Sequence, residues 1–206
     1  PALREAYALD MVDTELGWAG GLAATAAFVG SGPAGGPWTR AHAAPEGTVV
    51  RAIDLFGAAD GWAVGADPIG QDAHMWRWDG TAWQDWPIEK TWEIADIEVL
   101  GSDDAWASKG NVIARFDGTD WHQVTGAPVN ASLGGLAMLR GGAEPEGWFG
   151  SYGGMYHLQG DVWTPITLST RSLIVDIEVP DQREGWAIDE HSLYQYDGTD
   201  WLEVAP

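Results

Sequence analysis

The chain has 206 residues, of which 45% are apolar and 11% aromatic, and this is enough for a large hydrophobic core. Its formal net charge of −21 disfavours binding to nucleic acid or anionic lipid, and no apolar run reaches the roughly 20 residues of a membrane span. Cysteine is absent, which excludes disulfides, thiolate catalysis and cysteine-based metal sites.

Two columns of tryptophan recur along the chain and define five repeats. Members of the first column follow Gly or Ala: Trp18, Trp62, Trp106, Trp148 and Trp186. Members of the second column come later in each repeat: Trp38, Trp83, Trp121, Trp163 and Trp201. Neighbours within a column are 38 to 45 residues apart. A period of this length is typical of solenoids and propellers.

Each repeat contains four short strand-like runs and no helical periodicity. An apolar alternating strand A precedes the first tryptophan, strand B contains it, strand C follows, and strand D begins at the second tryptophan. Asp-Gly-Thr joins C to D at Asp79, Asp117 and Asp197, which predicts a tight hairpin. The first repeat lacks this turn.

These patterns predict an all-β, five-bladed β-propeller with four antiparallel strands per blade. We expect one domain over residues 1–206, with blades at about 4–47, 48–90, 91–128, 129–168 and 169–206. The tryptophans of both columns, including Trp106 and Trp186, are predicted to pack between blades. The additional aromatic residues of the second repeat, Trp76, Trp78 and Trp86, are predicted to be mostly core residues and not a sugar-binding platform.

The motif GWAVG…YDGTxW resembles bacterial propeller repeats that are similar to Asp-box (BNR) repeats and to the photosystem II assembly/stability-factor propellers. The resemblance covers essentially the whole chain. It implies the propeller fold and a turn role, not a catalytic one, for Asp79, Asp117 and Asp197. Asp-box-like propellers include sialidases, lectins, receptors and assembly factors, so the resemblance implies no single function.

No catalytic set or cofactor is predicted. The eight arginines do not form a set in equivalent positions that points to one end of the channel, and the histidines lack metal-ligand spacing. Strand A does carry a series of aspartates, with Gly135 in the fourth repeat: Asp10, Asp54, Asp96 and Asp176. These carboxylates either form a ring that binds a cation such as Ca²⁺ or accept hydrogen bonds from backbone N–H groups of the next blade. We favour the hydrogen-bond interpretation and predict no metal site.

Charge is distributed unevenly between the two sets of loops. The A–B loops and C–D turns carry 15 of the 31 carboxylates, whereas the opposite loops carry both lysines and three of the eight arginines. If a partner binds the acidic side, the candidate contact residues are Asp103, Asp104, Asp181 and Glu184. If it binds the other side, they are Arg51, Lys90 and Arg171.

We therefore expect a non-catalytic binding or scaffold propeller that acts outside the cytoplasm, in the periplasm or after secretion, and docks on a protein or complex through one face. Nucleic acid is not expected as a partner. A carbohydrate-binding propeller is the alternative and would repeat one pocket between blades. A glycosidase of Asp-box type is the third interpretation and would show one cleft with converging carboxylates.

Overall fold

The computed structural model describes residues 3–23, 27–32, 37–43, 45, 47–67, 72–88, 94, 96–128 and 133–205. Within these ranges the chain forms five four-stranded sheets, each built from strands consecutive in sequence, and no α-helix. All strand pairings in the first, second, fourth and fifth sheets are antiparallel. The prediction of all-β structure with four strands per blade is confirmed.

The strands of each sheet follow one another along the chain. The first sheet contains β1 (Leu3–Met11), β2 (Gly17–Ala23), β3 (Ala27–Gly32) and β4 (Thr39–Ala43). The second contains β5 (Val49–Gly57), β6 (Asp60–Ala66), β7 (Ala73–Trp78) and β8 (Trp83–Trp86). The third contains β9 (Asp96–Gly101), β10 (Asp104–Lys109), β11 (Val112–Phe116) and β12 (Trp121–Gln123). The fourth contains β13 (Leu136–Met138), β14 (Glu146–Ser151), β15 (Gly154–Gln159) and β16 (Val162–Thr167). The fifth contains β17 (Asp176–Asp181), β18 (Glu184–Ile188), β19 (Leu193–Tyr196) and β20 (Trp201–Ala205).

The Asp-Gly-Thr turns close the last hairpin of the second, third and fifth sheets. Their glycines Gly80, Gly118 and Gly198 have φ values of 88°, 90° and 92°, a region that residues with a Cβ rarely adopt. The Asp79 carboxylate accepts hydrogen bonds from the backbone N–H groups of Thr81 and Ala82, each at 2.8 Å. Asp117 and Asp197 make the same pair of bonds in their own turns. The predicted structural role of these aspartates is confirmed.

The Gly-Trp dipeptide of strand B reflects tight packing at the glycine. A Cβ built on Gly61 would lie 2.7 Å from Leu55 Cγ and 2.9 Å from the Asp54 carbonyl oxygen. A Cβ built on Gly185 would lie 2.8 Å from Val179 Cγ2 and 3.0 Å from the Glu178 carbonyl oxygen. Any side chain there would push strand A away from strand B, so glycine lets the two strands approach while the next residue supplies the tryptophan.

The chain divides into two compact units, one of residues 1–105 with 116–121 and the other of residues 106–115 with 122–206. In the first unit, Trp18 packs with Ile53, Trp76 and Trp83 in one buried cluster. In the second unit, a buried cluster contains Trp148, Ile174, Tyr194 and Trp201 among others. The two units are described separately below.

The prediction of a five-bladed propeller is wrong. The sheets β5–β8, β9–β12, β13–β16 and β17–β20 have the predicted blade pattern, with two to four residues between strands C and D and a buried or half-buried tryptophan on strand D. In the first sheet six residues separate β3 from β4, and Trp38 is 40% exposed. Because this sheet lacks the tight turn and a buried strand-D tryptophan, the fold is an all-β propeller with four blades of the repeat, preceded by one irregular four-stranded sheet.

Four of the five strand-B tryptophans are buried, as predicted. Trp18, Trp62, Trp106 and Trp148 are each at most 2% exposed. Trp76 and Trp78 of the second sheet are also buried and Trp86 is half-buried, which confirms that these additional aromatic residues are mostly core. The prediction for Trp186 is wrong: it is 41% exposed, because the face of the fifth sheet on which it lies is open to solvent.

The contrast between Trp106 and Trp186 has a direct consequence for stability. Replacing the buried Trp106 with Ala should lower the free energy of unfolding by about 3–5 kcal/mol, since it leaves a large cavity. The matched change Trp186→Ala should cost under about 1 kcal/mol. Urea unfolding of the two variants measures the difference, and equal losses would contradict the exposure of Trp186.

Candidate functional site

One row of side chains runs across the second sheet at the level of its strand-B tryptophan. In the strand register Asp54 pairs with Trp62, Trp62 with Arg77, and Arg77 with Gln84. Directly paired residues of neighbouring strands place their side chains on the same face of a sheet. We call this set, and its equivalents in the other sheets, the tryptophan row.

The tryptophan row of the second sheet contacts residues of the third sheet that belong to the same unit. The Trp62 ring lies edge-on to Phe116 and Trp121, with centroids 4.9 and 5.2 Å apart. At one end of the row, the Asp54 carboxylate accepts a hydrogen bond from the backbone N–H of Val99. Each contact joins one blade to the next through a different chemical group.

Arg77 completes this row by stacking its guanidinium over Trp62, 5.3 Å from the ring centroid. Its Nε and Nη2 atoms each lie 3.3 Å from an oxygen of Asp60, the first residue of β6, and Nη2 also donates to the Ser102 carbonyl at 3.0 Å. The cation therefore lies between an aromatic ring and a carboxylate. This arrangement fits the fork geometry of arginine.

The same stack recurs in the second unit. In the fourth sheet, the His157 ring stacks on Trp148 with centroids 4.5 Å apart and an interplanar angle of 10°, and its Nε2 lies 3.1 Å from Glu146 Oε1. Arg115 stacks over Trp106 at 5.1 Å. In the second and fourth sheets, the strand-B tryptophan, a basic residue opposite it and a carboxylate two residues before it thus form a recurring stack.

In the fifth sheet the tryptophan row is exposed. By register it contains Glu178, Trp186, Gln195 and Leu202, and Leu202 is 54% exposed. Residues alternate along β17 and β18 between buried and exposed, so one face of this sheet is in solvent. We define the open face by the residues that point to that side: Asp176, Glu178, Glu184, Trp186, Ile188, Gln195 and Leu202.

The four aspartates predicted as a series do not occupy equivalent positions. Asp10 and Asp54 pair with Trp18 and Trp62, whereas Asp176 pairs with Ile188, two residues before the row. The equivalent of Asp54 in the fifth sheet is Glu178, and in the third repeat Glu98 has the same eight-residue spacing to its tryptophan that Asp96 lacks. Counting eight residues back from the strand-B tryptophan of each of these repeats would have identified the equivalent carboxylates.

The hydrogen-bond interpretation is confirmed for Asp10 and Asp54. The Asp10 carboxylate accepts from the Leu55 N–H at 2.8 Å, and Asp54 accepts from Val99, in each case a residue of the next sheet. Asp96 accepts a bond from its own neighbour, the Ile97 N–H, at 3.0 Å. Within the described ranges, no group of three or more acidic or histidine side chains is arranged to hold a metal ion.

The acidic contact candidates lie in or beside the A–B turns. Asp103 and Glu184 are exposed, Asp104 is half-buried at the start of β10, and Asp181 ends β17. The backbone N–H of Arg183 donates to Asp181 at 2.7 Å and lowers the pKa of that carboxyl. This group therefore keeps its negative charge at mildly acidic pH.

The structure describes two of the three basic candidates, one in each unit. Arg51 is half-buried within β5, and Arg171 is exposed between β16 and β17. Lys90 lies outside the described residues. The sequence did not identify Arg77, Arg115 and His157 as site residues, because their stacking on strand-B tryptophans depends on side-chain contacts that only the structure shows.

In the described part of the chain, a cavity lies near an A–B turn in each unit. The first, of about 410 Å³, is bordered by Asp60, Arg77, Asp79 and Trp86. The second, of about 370 Å³, is bordered by charged and small residues: Arg140, Gly141, Gly142, Glu144, Glu146, Asp181 and Arg183. The first has an aromatic wall and the second does not, so the two do not repeat one pocket as a lectin-like propeller would.

Comparison with known proteins identifies the fold. No family model matches the chain, and no curated protein matches its sequence. Among solved structures, YCF48 bound to D1 peptide is 17% identical with a TM-score of 0.71, over 100% of this chain and 68% of that one. Virginiamycin B lyase from Staphylococcus aureus is 13% identical with a TM-score of 0.73, over 97% and 69%.

A third similar structure is the extracellular domain of BT4673, described as a one-component system, from B. thetaiotaomicron. It is 11% identical with a TM-score of 0.69, over 97% of this chain and 28% of that one. Likeness at these identities shows the propeller fold alone. In the described part of the chain, no helix has the length and apolar character needed to cross a membrane.

The Asp54 contact can be tested by removing its acceptor. Asp54→Ala leaves the Val99 N–H without its carboxylate, so the free energy of unfolding should fall by about 1–3 kcal/mol. The matched variant Asp176→Ala, at an exposed position two residues before the row, should change it by less than about 0.5 kcal/mol. Chemical denaturation compares the two. A larger loss for Asp176→Ala would contradict the assigned register.

The hydrogen bonds of the turn aspartate Asp79 predict that the stability of its turn depends on pH. Hydrogen bonds from the Thr81 hydroxyl and from the backbone N–H groups of Ala82 and Thr81 lower the pKa of Asp79 to about 2. Since the folded value lies below the ordinary value of about 3.9, the turn bonds are fully present above pH about 4 and are lost as the pH falls toward 2. Carbon NMR of the Asp79 carboxyl should show a midpoint near pH 2.

A variant supplies the control for this titration. Asp79→Asn keeps an acceptor in the turn but does not titrate, so the melting temperature should fall less between pH 4 and pH 2 than in the wild type. Asp85→Asn, at an exposed position of β8, is the matched change. A midpoint near pH 4 for Asp79 would show that the turn hydrogen bonds do not lower the pKa of this carboxyl group.

Proposed function

We propose that this protein is a non-catalytic binding module that docks on a protein partner through the open face of its fifth sheet. The observation that carries the proposal is the exposure of the tryptophan row there. Trp186, Ile188 and Leu202 present large apolar side chains to water on one face of a chain with a net charge of −21. A contiguous exposed apolar surface on a highly charged protein marks an interaction site.

The other sheets support this use of the row. In the second sheet, the same positions bind another sheet through an aromatic contact, a carboxylate and a cation. In the fourth sheet, Trp148 contacts Tyr196 with centroids 5.2 Å apart. The row is thus a surface whose chemistry suits contact with protein, and in the fifth sheet it is presented outward.

Similar folds give further support. YCF48 has been solved with a D1 peptide bound, so a protein of this fold does bind peptide. BT4673 carries the fold in an extracellular domain, and we propose that this chain likewise acts outside the cytoplasm. The acidic groups Asp181 and Glu184, at the edge of the open face, should attract a partner with complementary charge and make association salt-dependent.

Site-directed photocrosslinking tests the proposal. A benzoylphenylalanine at Leu202 should capture one defined protein in the cells that make this chain, because Leu202 lies in the row. The matched control is Val162, a residue of β16 that is 64% exposed and lies outside the open face. Capture from position 202 should weaken as salt is raised and should not occur from position 162.

Two outcomes would contradict the proposal. Equal crosslinking from both positions would show that the open face has no special affinity for protein. Release of the captured target by a simple sugar would favour the carbohydrate-binding alternative.

A further inference from the structure

The fifth sheet keeps two parts of the recurring stack and lacks the third. In the second sheet the stack consists of Trp62, Arg77 and Asp60, and in the fourth of Trp148, His157 and Glu146. At the equivalent positions the fifth sheet has Trp186, Gln195 and Glu184. The aromatic ring and the carboxylate are present, and a neutral amide replaces the cation.

The geometry points to an arginine-binding site on the open face: we propose that Trp186 and Glu184 receive the guanidinium of an arginine from the protein partner. This inference rests on the proposed function and names the chemistry of its partner. The guanidinium would take the place that Arg77 takes over Trp62 in the second sheet. There it stacks on the ring and directs two nitrogen atoms to one carboxylate.

Charge complementarity selects a cation as the occupant. The open face carries Asp176, Glu178 and Glu184, and its described residues include no lysine, arginine or histidine. The Glu184 side chain forms no ion pair with any described residue, whereas the equivalent acids Asp60 and Glu146 each pair with a base on strand C. A partner that brought a carboxylate would meet repulsion, and an apolar partner would leave Glu184 uncompensated.

Arginine fits this site better than lysine. Two internal templates use arginine over a strand-B tryptophan, at 5.3 Å for Arg77 and 5.1 Å for Arg115. The planar guanidinium can stack on the indole and still donate in its own plane to a carboxylate, which an ammonium group cannot do. Ile188 and Leu202 flank the site and provide apolar contact for residues beside the arginine.

The test uses the whole chain and a short peptide, acetyl-Leu-Arg-Leu-amide. The probe is followed through the indole N–H resonances, with that of Trp186 assigned by its loss in Trp186→Phe. The peptide should shift the Trp186 resonance in a saturable way, and counterparts with lysine or norleucine should bind more weakly. Because an exposed cation–aromatic contact and an exposed ion pair are each modest, Glu184→Gln should weaken binding about two- to fivefold.

Strand C offers a matched pair of variants. Gln195→Arg supplies the missing cation from within the sheet and should abolish peptide binding, because the new guanidinium occupies the site. Gln195→Met, of similar length and uncharged, should keep it. Trp38, which is also exposed at 40% but lies just before β4 of the first sheet, serves as the control resonance and should not shift.

The inference is overturned if the norleucine peptide binds as well as the arginine peptide, if Gln195→Arg binds like Gln195→Met, or if Trp38 responds as Trp186 does. Its failure is distinguishable from failure of the proposed function. Crosslinking from Leu202 without any preference for arginine would support the docking face and contradict the arginine site. Arginine-dependent shifts without any crosslinked protein would support the arginine site and contradict docking on a protein through this face.

Discussion

The structure depends on the insertion of the buried strand-B tryptophans between one sheet and the next. A four-stranded sheet that is apolar on both faces cannot remain stable alone in water, because neither face is covered. Trp62 between the second and third sheets and Trp148 between the fourth and fifth remove both a large indole surface and its surroundings from water. Gly61 and Gly147 permit this, since a Cβ at either position would force strand A away from strand B.

Hydrogen bonds between polar groups align the sheets that the apolar contacts hold together. Asp10 and Asp54 each accept an N–H of the following sheet, and Arg77 reaches the Ser102 carbonyl. Hydrogen bonds are directional, whereas hydrophobic contact is not, so these groups define how far one sheet can slide along the next. The fourth sheet has Ala137 at the carboxylate position and so differs from the first two in how it meets its neighbour.

The proposed function assigns to the fifth sheet the same row of residues that stabilises the covered sheets. Where the row is covered, its carboxylate, indole and cation hold protein against protein. Where it is open, Trp186 and Glu184 expose the same chemistry to solvent, with Gln195 in place of the base. In the function proposed above, the binding surface would arise from a structural repeat with one substitution and one uncovered face, without a dedicated pocket or loop.

The sequence by itself determined the repeat, the four-stranded sheets, the turns at Asp79, Asp117 and Asp197, and the burial of Trp62, Trp106 and Trp148. These features are local or periodic: a turn needs a glycine with positive φ, and a repeated apolar column must be covered. The strand register was not determined, so Asp176 was aligned where Glu178 belongs; a shift of two residues keeps every side chain on the same face and leaves the alternation unchanged. The sequence showed that the first repeat lacks the turn, but it could not show that Trp38 and Trp186 are exposed. Exposure depends on whether another sheet covers a given face, and only the tertiary structure decides that.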